Sequence, residues 1–135
     1  MSTVPTPTPA DVFRRKAHPL IAPGPHDPAT DEPFRSLWER GITGSRMHRN
    51  TKLTALTLAA GADWTTGQLA DTQPSVGGLA DRSALHHGQV VVALQALEQR
   101  GWIVRSNRRL PWGNAAVELA IPGPILRHLK KHRLA

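Results

Sequence analysis

Histidine, glutamine and valine side chains are concentrated in one short stretch, residues 86–99. An apolar stripe at i, i+3, i+4 and i+7 predicts a core-facing helix here and consists of Val90, Ala93, Leu94 and Leu97. The stretch begins with His86, His87, Gly88 and Gln89, and the face opposite the stripe carries Gly88, Val92, Gln95 and Gln99, with Val91 on its flank. Because glutamine can pair with adenine and valine can contact the thymine methyl group, this face could read bases in a major groove. The alternative is that Val91 and Val92 are buried in a dimer interface.

Cationic side chains dominate the chain after this stretch. From residue 100 onward there are eight Lys and Arg residues and a single acid, Glu118. Arginines 105, 108 and 109 lie close to Trp112, between two predicted strands. A loop with this charge can contact phosphates or enter a minor groove, and Trp112 is the tryptophan that we expect to be exposed for base stacking. The alternative is a basic loop that is only solvated.

Composition excludes several other kinds of chemistry. The chain has 135 residues, a formal net charge of +7 and no cysteine, which rules out a disulfide scaffold, a thiol nucleophile and a cysteine-ligated zinc. There is no glycine-rich phosphate loop, no serine nucleophile motif and no motif of paired carboxylates, so we expect neither an enzyme nor a cofactor. His128 and His132 have the spacing of a metal-binding pair, but no third ligand accompanies them, and we expect no metal.

The same composition predicts where the protein resides. No apolar run reaches the roughly 18 residues that span a membrane, and the N-terminus lacks the basic and apolar regions of a secretory signal. Arginine outnumbers lysine by 13 to 4, which suggests a bacterial genome rich in G and C. We therefore expect a soluble, cytoplasmic, nucleoid-associated bacterial protein with no membrane partner.

Proline divides the chain into an arm and a domain. Eight of the twelve prolines lie in residues 1–33, where each removes a backbone donor and favours extended backbone before it. We expect this arm to be disordered, because it buries too little apolar surface to offset its ordering entropy. Its four acids outnumber its three bases, so the positive charge belongs to the predicted domain, residues 34–135.

The remaining elements of the domain follow from periodicity and capping residues. A short helix is predicted at 34–41, and a stronger one from Asn50 to Gly61 with Leu53, Leu56 and Ala60 on its packed side. Ser75 is the predicted N-cap of a brief helix over 76–81, and Gly101 is the predicted end of the long helix. Residues 102–121 predict two strands around a loop, with Trp102, Val104, Val117, Leu119 and Ile121 alternating with more polar neighbours. A basic helix is predicted at 124–134.

The order of these elements is that of a winged helix-turn-helix. The match is most specific over residues 74–104, at Pro74-Ser75, Leu79-Ala80, Leu85, Val90, Ala93-Leu94, Leu97-Glu98 and Gly101. In these landmarks the chain resembles the winged-helix modules of bacterial, plasmid and phage DNA-binding proteins, including replication-associated proteins and repressors of the multidrug-resistance-regulator type. The resemblance extends less specifically over Leu53–Gly61 and 102–121, and it does not reach the arm. It implies a mainly α fold with a small β-hairpin wing (α+β).

Two features of this segment depart from that family pattern. Relatives usually have glycine in the turn and serine or threonine as the next helix cap, where this chain has Ala84 and His86. Since alanine in a left-handed conformation costs about 1 kcal/mol, we expect a reshaped turn. Relatives also often carry Arg or Lys at the exposed start of the second helix, where this chain is neutral.

The resemblance implies a protein that binds double-stranded DNA, and we expect a sequence-specific transcriptional regulator. Helix 86–100 would read the major groove, and the 105–114 wing would contact the backbone or minor groove. The expected contacts are His86, His87, Gly88, Gln89, Val91, Val92, Gln95, Arg105, Arg108, Arg109 and Trp112.

Assembly and alternative functions follow from the same resemblance. We expect a homodimer that pairs through residues 34–48 or 124–134 and binds half-sites about one helical turn apart. A plasmid or phage replication or partition accessory protein is one alternative function. A winged helix that binds a protein partner and no DNA is another, and the cationic excess of residues 100–135 argues against it.

Overall fold

The computed structural model describes residues 21–131, and in this range the chain forms five helices and a two-stranded antiparallel hairpin. The helices are α1 (Phe34–Gly44), α2 (Arg49–Ala59), α3 (Val76–Ser83), α4 (His87–Gln99) and α5 (Gly123–Lys131), and the strands are β1 (Ile103–Arg105) and β2 (Val117–Leu119). The expectation of a mainly helical α+β fold is confirmed. None of these helices combines the length and apolar character that crossing a membrane requires.

Helix α4 lies at the centre of the core, and its buried side is the predicted one. Val90 and Leu97 are fully buried, and Ala93 and Leu94 are nearly so. Helices α2 and α3 and strand β1 all pack against α4. The opposite face of α4 is thereby held toward the surface in a fixed orientation.

The buried face of α2 differs from the predicted one. Leu53 is 42% exposed, whereas Thr51, Thr54, Ala55 and Leu58 are buried. The prediction favoured the largest apolar side chains, but the small Thr54 and Ala55 allow α2 to lie closer to α4 than a leucine would. The prediction that Leu53 and Ala60 lie on the packed side of α2 is therefore wrong, since Ala60 is exposed as well, while Leu56 is partly buried against the core.

A tight turn joins α3 to α4. The Ser75 hydroxyl accepts a hydrogen bond from the Gly78 N–H at 2.9 Å, so the predicted N-cap of α3 is confirmed. At the other end, Ala84 has φ 58° and ψ 31°, which is the left-handed conformation. The turn therefore keeps the backbone conformation that glycine usually supplies, instead of being reshaped around alanine.

Replacing Ala84 with glycine should stabilise the protein. Ala84 is exposed, so little packing is lost, and glycine removes a left-handed penalty of about 1 kcal/mol, partly offset by greater entropy of the unfolded chain. We expect the free energy of unfolding in urea to rise by about 0.5–1 kcal/mol. Ala60→Gly is the control, because Ala60 is exposed with φ −59°, and it should lower stability. A loss of stability in Ala84→Gly would contradict the prediction.

Gly101 ends α4 as predicted. Its φ is 82°, and the N–H groups of Gly101 and Trp102 donate to the carbonyls of Glu98 (3.1 Å) and Leu97 (2.9 Å). These two bonds form a Schellman motif. The reversal that they produce sends the chain from α4 directly into β1.

The hairpin pairs β1 with β2 in antiparallel register, with Ile103 opposite Leu119 and Val104 opposite Glu118. Ile103 is buried and Val104 only partly so, which reverses the alternation predicted for the first strand. The prediction counted Trp102 as a strand residue, but Trp102 lies in the turn before β1. It is buried there, and its burial does not set the alternation within the strand. The indole N–H of Trp38 in α1 donates to the carbonyl of Trp102 at 3.0 Å, which ties α1 to this hairpin.

Residues 21–33, called here the N-terminal strap, lie against the end of the domain, which differs from the expected disorder. The Gly24 N–H donates to the Ile121 carbonyl at 2.8 Å, and the Gly123 N–H donates to the Ala22 carbonyl at 2.9 Å. Asp31 forms an ion pair with Lys130 at 3.0 Å. Composition does not predict this docking, because the strap has no core of its own. It is held by backbone hydrogen bonds and an ion pair with residues far along the chain.

Parts of two predicted segments lie outside the described residues. Residues 1–20 of the arm are among them, and so are residues 132–135, which include the predicted end of the C-terminal helix. Within the described range, α5 begins one residue before the predicted start.

Candidate nucleic-acid interface

The outward face of α4 is neutral and accessible. Its exposed residues are Gly88, Gln89, Val92, Gln95 and Gln99, and Val91 is half-buried. Val92 is 64% exposed, more than Leu53 or Leu110. The helix contains no Lys or Arg, and its acid, Glu98, is buried. This face therefore offers amide and aliphatic groups but no charge.

The first turn of α4 uses part of this chemistry for its own capping. The His86 N–H donates to Oε1 of Gln89 at 2.9 Å. Gln89 thus keeps its amide NH₂ as a donor, while its oxygen is engaged, so the expected two-bond pairing with adenine is left to Gln95. The His87 imidazole lies beside Gly77 of α3, with Cε1 3.6 Å from where a Gly77 Cβ would be.

A groove of about 520 Å³ runs between the N-terminal ends of α2 and α4. Its lining consists of His48, Asn50, Thr51, His86, Gly88, Gln89, Val92 and Ala93. The residues from α2 were not predicted from the sequence. The signal was present in Arg46 and Arg49, both exposed, which flank His48 at the start of that helix. The N-terminal ends of two helices meet at this groove, and exposed arginines lie close to it in the sequence, a combination that favours anions near the start of α2.

The structure gives Arg105 partners within the protein. Its Nε and Nη2 atoms each lie 3.1 Å from a carboxylate oxygen of Glu98, forming a bidentate ion pair. Nη1 donates to the Leu110 carbonyl at 3.1 Å, and the guanidinium lies 4.0 Å from the ring centre of Trp112. We name this the Glu98–Arg105–Trp112 clamp. Arg105 connects α4 to the hairpin, and three of its five guanidinium N–H donors are engaged within the protein.

The clamp also changes the expected role of Trp112. The indole was expected to be exposed for base stacking, but it is only partly exposed and packs against the core. One of its faces is covered by the Arg105 guanidinium. The sequence could not reveal this stacking, because the position of the Arg105 guanidinium depends on Glu98 of α4 and on how the hairpin loop folds.

The hairpin loop, residues 106–116, keeps two of the three predicted arginines at its tip. Arg108 and Arg109 are exposed. The Asn107 side chain accepts a hydrogen bond from the Arg109 N–H at 2.9 Å, which fixes the local turn. The loop therefore holds both arginines at the protein surface, on a backbone that the clamp anchors at Leu110.

Other candidate groups lie away from this surface. His128 is exposed on α5, and His132 lies outside the described residues. Across residues 21–131 no group of three or more His, Asp or Glu side chains could hold a metal. Trp64 is 51% exposed and lies near Arg35 of α1, with the guanidinium carbon 5.6 Å from its ring centre.

Comparisons with known proteins identify no relative. No family model, curated protein or solved structure matches the chain. The features that bear on function are therefore the neutral face of α4, the groove beside it and the arginines of the hairpin loop.

Proposed function

We propose that this protein binds double-stranded DNA as a winged-helix transcriptional regulator. Helix α4 would enter the major groove as the recognition helix, and the hairpin loop would lie along the adjacent backbone as the wing. The supporting observation is that α4 follows α3 through a tight turn, buries one side and keeps its other side exposed, while the hairpin loop that comes after it carries Arg108 and Arg109 at exposed positions. A major groove is wide enough to admit one such helix.

Cations around α4 supply the phosphate contacts in this proposal. Arg46 and Arg49 lie at the start of α2, and Arg108 and Arg109 lie in the hairpin loop. If about 4–6 phosphates are neutralised per subunit, the logarithm of the affinity falls with the logarithm of the salt concentration at a slope of about −4 to −5. Fluorescence anisotropy with genomic duplexes at several salt concentrations measures this slope.

Removing the two loop arginines tests the wing assignment. We expect Arg108→Ala with Arg109→Ala to weaken binding to all duplexes and to reduce the salt slope by about 2, because two phosphates are no longer neutralised. The control is Arg127→Ala with Lys131→Ala, which removes the same charge from exposed positions on α5 and should leave the slope nearly unchanged. Equal slopes for the two double variants would argue against the wing, and thermal melts verify that both remain folded.

Genome-wide selection of bound fragments separates regulation from other roles. Sites next to promoters with two-fold symmetry support a dimeric regulator, and a single cluster of sites at a replication or partition locus supports an accessory protein. Light scattering measures the mass of the protein in solution, and a mass equal to one chain would contradict the predicted dimer. Failure to retain any duplex at low salt would refute DNA binding.

A further inference from the structure

Gly88 lies where the fold has no need of glycine. It is in the first turn of α4 and does not have a positive φ. A Cβ built at Gly88 meets no atom within 4 Å, so neither packing nor backbone conformation excludes alanine. Glycine in a helix is less favourable than alanine, because it loses more backbone freedom on folding. Glycine at position 88 therefore makes the helix less stable than alanine would, and no contact or backbone conformation of the described residues requires it.

Val92, one helical turn later on the same face, has the same character. Its side chain is 64% exposed and contributes little to the core. A β-branched residue also loses rotamer freedom in a helix, so an exposed valine here helps neither packing nor helix formation. Departures of this kind from local preferences are typical of functional positions.

Together these two residues form a notch with an aliphatic side. Removing the side chain at position 88 opens the helix surface next to the valine methyls, and both residues line the groove beside α2. Gln95, three residues after Val92, is exposed at the end of this notch, and Gln89 borders it with its free amide NH₂. The notch thus offers one aliphatic contact bordered by amide groups.

We infer that this notch receives the C5-methyl group of thymine and makes the protein selective for A·T pairs, an inference that depends on the proposed binding to DNA. The methyl group projects into the major groove and is the apolar group there that distinguishes thymine from cytosine. Gly88 lets the base edge approach the helix backbone, and Val92 contacts the methyl. The Gln95 amide can donate to N7 and accept from N6 of an adenine in the same or the adjoining pair. No arginine or lysine on α4 competes for guanine.

The first experiment selects duplexes with a randomised centre on the full-length protein. The expected sites contain A·T pairs at fixed positions. Each essential thymine is then replaced by deoxyuridine, which removes only the methyl group. We expect the wild-type affinity to fall about fourfold for each methyl removed, the value of one buried methyl-sized group.

Variants assign that effect to the notch. Val92→Ala should bind the thymine and deoxyuridine duplexes equally, whereas Leu53→Ala, which removes an exposed aliphatic side chain from α2, should keep the fourfold difference. Gly88→Ala should raise the melting temperature by about 2–4 °C and weaken binding to the selected duplex at least tenfold. A Gly88→Ala variant that is more stable and binds equally well would overturn the role of the notch.

The outcomes separate this inference from the proposed function. Tight, salt-dependent binding to sites rich in G·C pairs, or with no effect of deoxyuridine, would overturn thymine reading while DNA binding stands. Failure to bind any duplex would instead remove the proposed function itself.

Discussion

Arg105→Ala is expected to lower the free energy of unfolding by about 3–5 kcal/mol. The side chains of Arg105 and Glu98 are only 11% and 9% exposed, so the substitution leaves a carboxylate desolvated beside the core without its partner. The stacking on Trp112 and the hydrogen bond to Leu110 disappear with it. The midpoint of urea unfolding, followed by tryptophan fluorescence, measures the loss.

Two further variants test whether the loss of stability comes from the Glu98–Arg105 ion pair or only from the removal of a charge. Arg109→Ala is the matched control, because it removes the same charge from an exposed position in the same loop and should change stability by less than about 0.5 kcal/mol. Glu98→Leu combined with Arg105→Met should recover most of the loss, since an apolar pair of similar volume avoids the unpaired buried charge. A cost below about 1 kcal/mol for Arg105→Ala would show that solvent compensates the carboxylate.

Gly67→Ala is the second substitution expected to have a large effect. Gly67 has φ 76°, and a Cβ built there would overlap Cδ1 of Phe34, the first residue of α1. We expect a loss of about 2–4 kcal/mol, made up of about 1 kcal/mol of left-handed strain and about 1–3 kcal/mol of overpacking. Gly44→Ala is the control, because a Cβ there meets nothing within 4 Å.

A double-mutant cycle separates the two contributions at Gly67. In a Phe34→Ala background the clash is gone, so Gly67→Ala should cost only about 1 kcal/mol. An unchanged cost in that background would assign the whole effect to the backbone conformation. The surrounding loop is already constrained, since the Thr66 N–H donates to the Asp63 carboxylate at 2.8 Å and lowers the pKa of Asp63.

Regular patterns in the sequence predicted the parts of the fold that depend on local periodicity and caps. The apolar stripe of α4, the Ser75 cap and the Gly101 terminus all follow from short-range rules. The buried face of α2 did not, because close packing against α4 selected Thr54 and Ala55 over the larger Leu53. A hydrophobic pattern favours the largest apolar side chains for the buried face, and it contains no information on the distance between two packed helices.

The candidate site was predictable in its outline but not in its contacts. The neutral exposed face of α4 follows from the position of the buried stripe, and the loop arginines follow from turn residues. The assignment of Arg105 to Glu98 required the geometry of the turn at Gly101, which brings a helix residue and a strand residue together. The Gln89 cap and the α2 side of the groove likewise depend on three-dimensional placement.

The docking of the N-terminal strap has a consequence for the order in which the protein is made. Residues 22–24 bond to residues 121–123, so these bonds join two segments that are far apart in the sequence. On a translating ribosome the strap emerges long before its partner is synthesised. The helices α1 to α4 can therefore pack together while the chain is still being extended. The strap attaches only after residues 121–123 have left the exit tunnel.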